Sequence, residues 1–82
     1  MFEEQYENLA NAIILRALLD LKRASKKYLK GEDLVAANNT IHSVLVFLFS
    51  DYYKSLTGVN PNTLVRRVLE NVEVWRKKQL SR

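Results

Sequence analysis

Five cations stand within nine residues of this chain: Lys22, Arg23, Lys26, Lys27 and Lys30, with no acid among them. On a helix, Lys22, Lys26 and Lys30 form one i,i+4 row, and Arg23 and Lys27 form a second beside it. Like charges at that spacing repel by a few tenths of a kcal/mol per pair. The C-terminal end of the helix macrodipole offsets part of the repulsion, and an anionic partner offsets more. The chemistry open to these residues is electrostatic docking on an acidic protein surface or a nucleic-acid backbone.

A second set lies in the last third. Asn60, Asn62, Arg66 and Arg67 are residue types that reach phosphates and base edges. They follow Gly58 in TGVNPNTLVRRV, which resembles the turn and second-helix start of a helix-turn-helix. Two positions depart from that motif. Lys54 stands four residues before Gly58, where the motif buries a small residue, and Arg67 stands nine after it, where the motif buries an apolar one. Tyr52, Tyr53 and Trp75 make a third set, of types enriched where protein interfaces concentrate their energy.

No catalytic machinery is legible. The chain has one histidine and no cysteine, so thiolate chemistry and disulfides are excluded. Convergent metal ligands are not in prospect. His42 adjoins Ser43, but neighbours in sequence do not face each other on a helix. Two isolated glycines do not make a phosphate loop. The expectation is a non-enzymatic protein without metal or cofactor.

Eighty-two residues, 48% apolar and 27% charged, make one globular domain. The net charge of +4 is unevenly placed: residues 1–20 sum to −3, 21–30 to +5, 31–60 to −2 and 61–82 to +4. The start, MFEEQYEN, is acidic where a signal peptide is basic. The longest apolar run, Val44–Phe49, is far short of the roughly 20 residues that span a bilayer. These features lead us to expect a soluble, cytoplasmic protein with no membrane partner.

The apolar spacing predicts the elements that position these residues. Phe2, Tyr6, Leu9, Ile13, Ala17, Leu21, Ala24 and Tyr28 recur at three- and four-residue steps, which predicts a helix over about 3–30. Glu3, Glu4 and Glu7 suit its positive end, and Gly31 is its natural stop. A second helix is predicted over about 33–57, capped by Asp33 or Glu32. Its stripe is Leu34, Ala37, Ile41, Val44, Leu45, Leu48, Phe49, Tyr52 and Leu56, with Val46, Phe47 and Tyr53 off it. Asn60-Pro61 then reads as N-cap and first residue of a third helix, over about 61–79, with Leu64, Val65, Val68, Leu69, Val72 and Trp75 inward and Arg76, Lys77, Lys78 and Arg82 ending the chain. Short connections favour antiparallel neighbours. The expected fold is all-α, a compact three-helix bundle of two long antiparallel helices and a shorter third.

Two stretches resemble a known group of proteins. Tyr6–Ile14, YENLANAII, and Phe49–Thr57, FSDYYKSLT, followed by Pro61 and Leu64–Leu69, LVRRVL, are similar to small phage and prophage proteins of Gram-positive bacteria. In those, an "ENLANAII"-like helix leads to an aromatic segment, an Asp/Asn-Pro corner and a basic helix. Here Tyr52-Tyr53 replaces the group's Trp-Phe pair, and the chain continues past the group's basic end through Glu73–Arg82. The resemblance implies no catalytic activity. It implies a context in which small proteins bind and block or redirect host or phage machinery, inhibitors of host defence complexes such as anti-CRISPR proteins among them.

The leading expectation is therefore a helical binding protein docking a host or phage protein or a nucleoprotein complex. Lys22, Arg23, Lys26, Lys27, Lys30, Arg66 and Arg67 supply attraction, and Tyr52, Tyr53 and Trp75 supply anchors. The alternatives are a DNA-binding regulator using the Gly58 corner with Asn60 and Asn62, and a self-associating module that pairs its second helix across a two-fold axis as a homodimer.

Overall fold

The computed structural model describes residues 2–80, with side chains from Leu9 to Leu80. The expected apolar positions Phe2 and Tyr6, the acids Glu3, Glu4 and Glu7, and Arg82 fall outside the described side chains. Four helices follow in order: α1 Phe2–Lys30, α2 Leu34–Leu48, α3 Asp51–Leu56 and α4 Pro61–Leu80. No strand occurs among the described residues, so the chain is all-α. No helix among them is long and apolar enough to cross a membrane.

Gly31 stops α1 as its sequence implies. With φ at 76° it turns the backbone left-handed, which costs glycine nothing. Its N–H donates to the Tyr28 carbonyl, and the Glu32 N–H reaches back to Lys27, the paired bonds of a Schellman end. The expected side-chain cap on α2 is corrected. Asp33 is itself left-handed, at φ 44°, and its carboxylate makes no capping bond. A side-chain cap needs an extended residue whose oxygen points at the first-turn N–H groups. Only the Asp33 carbonyl engages, accepting from the Ala37 N–H at 2.8 Å.

The single helix expected over 33–57 is also corrected. It stops at Leu48 and restarts at Asp51. Ser50 makes the break. Its backbone is extended, its Oγ accepts from the Tyr53 N–H at 3.3 Å, and the same hydroxyl donates to the Phe47 carbonyl at 2.6 Å. An N-cap in mid-pattern resets the helical phase. Tyr53, off the stripe of a continuous helix, becomes 1% exposed, while Phe49 and Tyr52, on that stripe, are left 53% and 56% exposed. The phase change also sets Phe47 edge-on to Tyr53, with ring centroids 6.0 Å apart, an arrangement aromatic pairs favour. The break leaves α2 with 15 residues and makes the 20-residue α4 the second-longest helix. The shortest of the three longer helices is therefore α2 rather than the last one.

The core joins Ile14 and Leu21 of α1, Val44 and Leu48 of α2, Tyr53 of α3, and Val68 and Val72 of α4. α2 runs back along α1, with Ala37 and Ala24 both buried where they meet. α4 starts at the corner after α3 and runs in the same direction as α1, bringing Trp75 beside Lys26 and Lys30. Both α2 and α4 pack on α1 and meet each other much less. A groove is left between them, floored by Ser25 and Val72 and walled by Tyr28, Leu29, Ile41 and Leu69.

Candidate basic docking surface

The direction of α4 decides where charge collects. Because α4 runs with α1, their basic C-terminal segments lie at the same end of the molecule. Lys22 and Lys26 are half-buried on the flank of α1 that meets α4, and Lys30 is exposed one turn further on. The ammonium groups of Lys26 and Lys30 stand 5.2 and 5.4 Å from the centre of the Trp75 ring, within the range in which a cation is held by the ring's quadrupole. One turn beyond Trp75, Arg76, Lys77 and Lys78 are exposed. Arg23 and Lys27 lie on the other flank of α1, lining a shallow depression with Asp33 and Asp20. Asp20 is already paired with Arg16 at 3.4 Å. The acid of α4 nearest this end is Glu73.

This arrangement is a cationic pole with an aromatic ring at its centre. Lysines act here as mobile point charges rather than as planar forks, so the pole attracts anions without demanding one geometry. Two helix C-termini meet there, and their dipoles favour the cations that the i,i+4 spacing sets against each other. Among the described residues, no three His, Cys, Asp or Glu side chains lie where they could hold a metal ion.

The predicted site residues divide. Lys26 and Lys30 meet Trp75, with Lys22 on the same flank of α1, while Arg23 and Lys27 lie on its other flank beside Asp20 and Asp33. Trp75 is half-buried under lysine side chains and packed against the core, so it organises the surface from within. Tyr53 is corrected from an interface anchor to a core residue. Burial pushes its hydroxyl above the ordinary tyrosine value of 10.0, and that hydroxyl donates to the Val59 carbonyl at 2.9 Å. Tyr52 is exposed, but it belongs to the other end of the molecule, beside Phe47.

Asn60, Asn62, Arg66 and Arg67 also lie at that other end. Asn60 is the expected N-cap: its Oδ1 accepts from the Asn62 N–H at 2.9 Å, and its carbonyl accepts from Thr63. Arg66 and Arg67 are exposed, with Arg66 nine residues and about 13 Å of helix away from Trp75. Consecutive helical residues point about 100° apart, so the two arginines do not form one prong. Arg66 shares its face of α4 with Glu70 and Glu73, which repel phosphate. The helix-turn-helix comparison gains the short α3 before its turn. Of the two apolar residues such a motif would bury, Leu64 packs on the core and Val59 is exposed, and Lys54 and Arg67 are exposed where the motif buries a residue.

Arg76, Lys77 and Lys78 entered the sequence reading only as the end of a helix. Their charge was visible, but their meeting with the α1 rows depends on α4 running with α1. Neither a family model nor a curated protein nor a solved structure matches the chain.

Proposed function

We propose that the chain is a non-enzymatic helical binding protein that docks a polyanionic macromolecule on the pole formed by the C-terminal ends of α1 and α4. The observation that carries this reading is the placement of Lys26 and Lys30 over Trp75, with the exposed cations of the last turns of α4 at the same end of the molecule. Two basic blocks some 50 positions apart in sequence lie at that one end of the molecule. A flexible array of lysines suits a regular line of charge, such as the nucleic-acid part of a nucleoprotein complex, better than a single carboxylate. Such a surface serves a protein that blocks or redirects host or phage machinery, the context implied by the likeness to small phage proteins.

A DNA reader working through the Gly58 corner is the second reading, favoured by the short α3 that precedes the turn. The two differ in which residues matter. Fluorescence anisotropy with labelled duplex and single-stranded oligonucleotides at rising salt tests both. Docking by the pole predicts binding at low salt whose log K falls with log salt at a slope of about −0.9 per duplex phosphate contacted. It also predicts loss of binding on Lys26→Glu with Lys30→Glu. No binding to either probe at low salt overturns docking on nucleic acid.

A further inference from the structure

We infer that the exposed face of α2 is a self-association surface, and that two copies pair it antiparallel across a two-fold axis passing by His42. α2 packs on α1 through Ala37, Val44 and Leu48. The side turned away carries Val35, Asn38, His42, Val46 and Phe49 at three-, four- and seven-residue steps, flanked by Leu34, Asn39 and Leu45. These residues would face a second helix. Val35, Val46, Phe49 and Leu34 are 77%, 57%, 53% and 49% exposed.

Three observations select a second copy as the occupant. First, α2 holds no Asp, Glu, Lys or Arg in 15 residues, in a chain that is 27% charged. The polyanion proposed for the pole gains nothing from this face, whereas an identical neutral face meets it with no charge left unpaired. Second, the exposed apolar residues Val35 and Phe49 bracket His42 at equal distance along this face. Val35 and Phe49 lie seven residues to either side, Asn38 and Val46 four, and Asn39 and Leu45 three. A two-fold axis at His42 therefore sets Val35 on the partner's Phe49 and Asn38 on the partner's Val46, an isologous contact. Third, the size and charge fit. The four exposed apolar residues offer on the order of 450 Å² per copy, and Asn38, Asn39 and His42 bring the patch toward the roughly 800 Å² per partner of a standard interface. Antiparallel pairing also sends the two basic poles to opposite ends, separated by at least the roughly 22 Å length of α2, beyond the Debye length at physiological salt of about 8 Å.

Sedimentation velocity and light scattering across a concentration series test the proposal. The expected mass is twice the 9.6 kDa of the chain. Val35→Glu and Val46→Glu each replace an exposed side chain, and Val35→Glu places an acid in the first turn of α2, where the helix dipole favours it. Each should keep its circular-dichroism helicity while weakening the dimer at least about tenfold, since a carboxylate is then buried unpaired. The chain has no cysteine, so His42→Cys should oxidise to a disulfide-linked dimer, while Thr40→Cys, facing the other way on α2, should not. A monomer at high concentration, a dimer indifferent to both glutamates, or cross-linking through Thr40→Cys rather than His42→Cys each overturns it.

Discussion

The Tyr53 hydroxyl donates to the Val59 carbonyl at 2.9 Å, so a side chain from the shortest helix holds the loop that launches α4. The ring fills the core beside Leu48 and Phe47, and the oxygen reaches the one stretch of backbone between α3 and α4. Removing only the hydroxyl separates these roles. Tyr53→Phe should keep the packing and cost about 0.5–1.5 kcal/mol, the net worth of one hydrogen bond. Tyr53→Ala should cost about 3–5 kcal/mol, as large aromatic truncations do. Urea melts of the three proteins check the order, and a Tyr53→Phe loss as large as that of the alanine variant would refute the division.

The same hydroxyl sets a base-induced weakening. Burial raises its pKa above 10.0, so the folded state holds the proton more tightly than the unfolded chain. The stability this contributes is complete below the unfolded value and is lost as pH rises through the folded one. Urea midpoints measured from about pH 8 to 11, a range bracketing the ordinary tyrosine value, should fall more steeply for the wild type than for Tyr53→Phe. Parallel curves would show that Tyr53 ionisation does not couple to folding.

Ser50 decides which tyrosine is inside. Its hydroxyl caps α3 through the Tyr53 N–H and adds a second bond to the Phe47 carbonyl, which also accepts from the Ser50 N–H where α2 ends. Ser50→Ala removes both bonds and should cost about 0.5–2 kcal/mol, the usual worth of an N-cap. If α2 and α3 fuse in response, Tyr53 leaves the core and Tyr52 turns inward. Acrylamide quenching of single-tyrosine variants reads that exchange directly.

The helices that were plain in the sequence are those whose apolar spacing and end signals agree. α1 ends at Gly31 and α4 begins at Asn60-Pro61, because glycine takes a positive φ without steric cost and proline lacks the N–H that a first helical turn leaves unused. The break at Ser50 was hidden because Val44–Phe49 is apolar throughout, so the pattern on either side could be joined in one phase. The Ser50-Asp51 pair, a capping residue followed by an acid, was the only local sign of a new start. The rows of α1 were legible as a charged surface. That Arg76, Lys77 and Lys78 lie at the same end as those rows was not, since it rests on the direction of α4, which the short α3 reverses relative to α2. Asp33 misled for a related reason: its type suits a cap, but its left-handed backbone turns the carboxylate away.

The pole makes a claim that separates it from the corner. Replacing Lys26 and Lys30 by Gln removes two cations from the face of Trp75. Each exposed cation–π contact is worth about 0.5–1 kcal/mol, and the relief of i,i+4 repulsion along Lys22, Lys26 and Lys30 opposes that loss. The double variant should therefore melt close to the wild type, while the Trp75 emission shifts as the ring becomes more exposed. Its affinity for a polyanion should fall, and the magnitude of its salt slope should drop by nearly two duplex contacts. Arg66→Gln with Arg67→Gln removes the same formal charge at the other end of α4. If the pole docks the partner, that pair keeps most of the salt slope. If the corner reads DNA, the arginine pair loses the binding and the lysine pair keeps it. Anisotropy titrations of the two double variants, run side by side at low and physiological salt, decide between the surfaces without changing net charge between them.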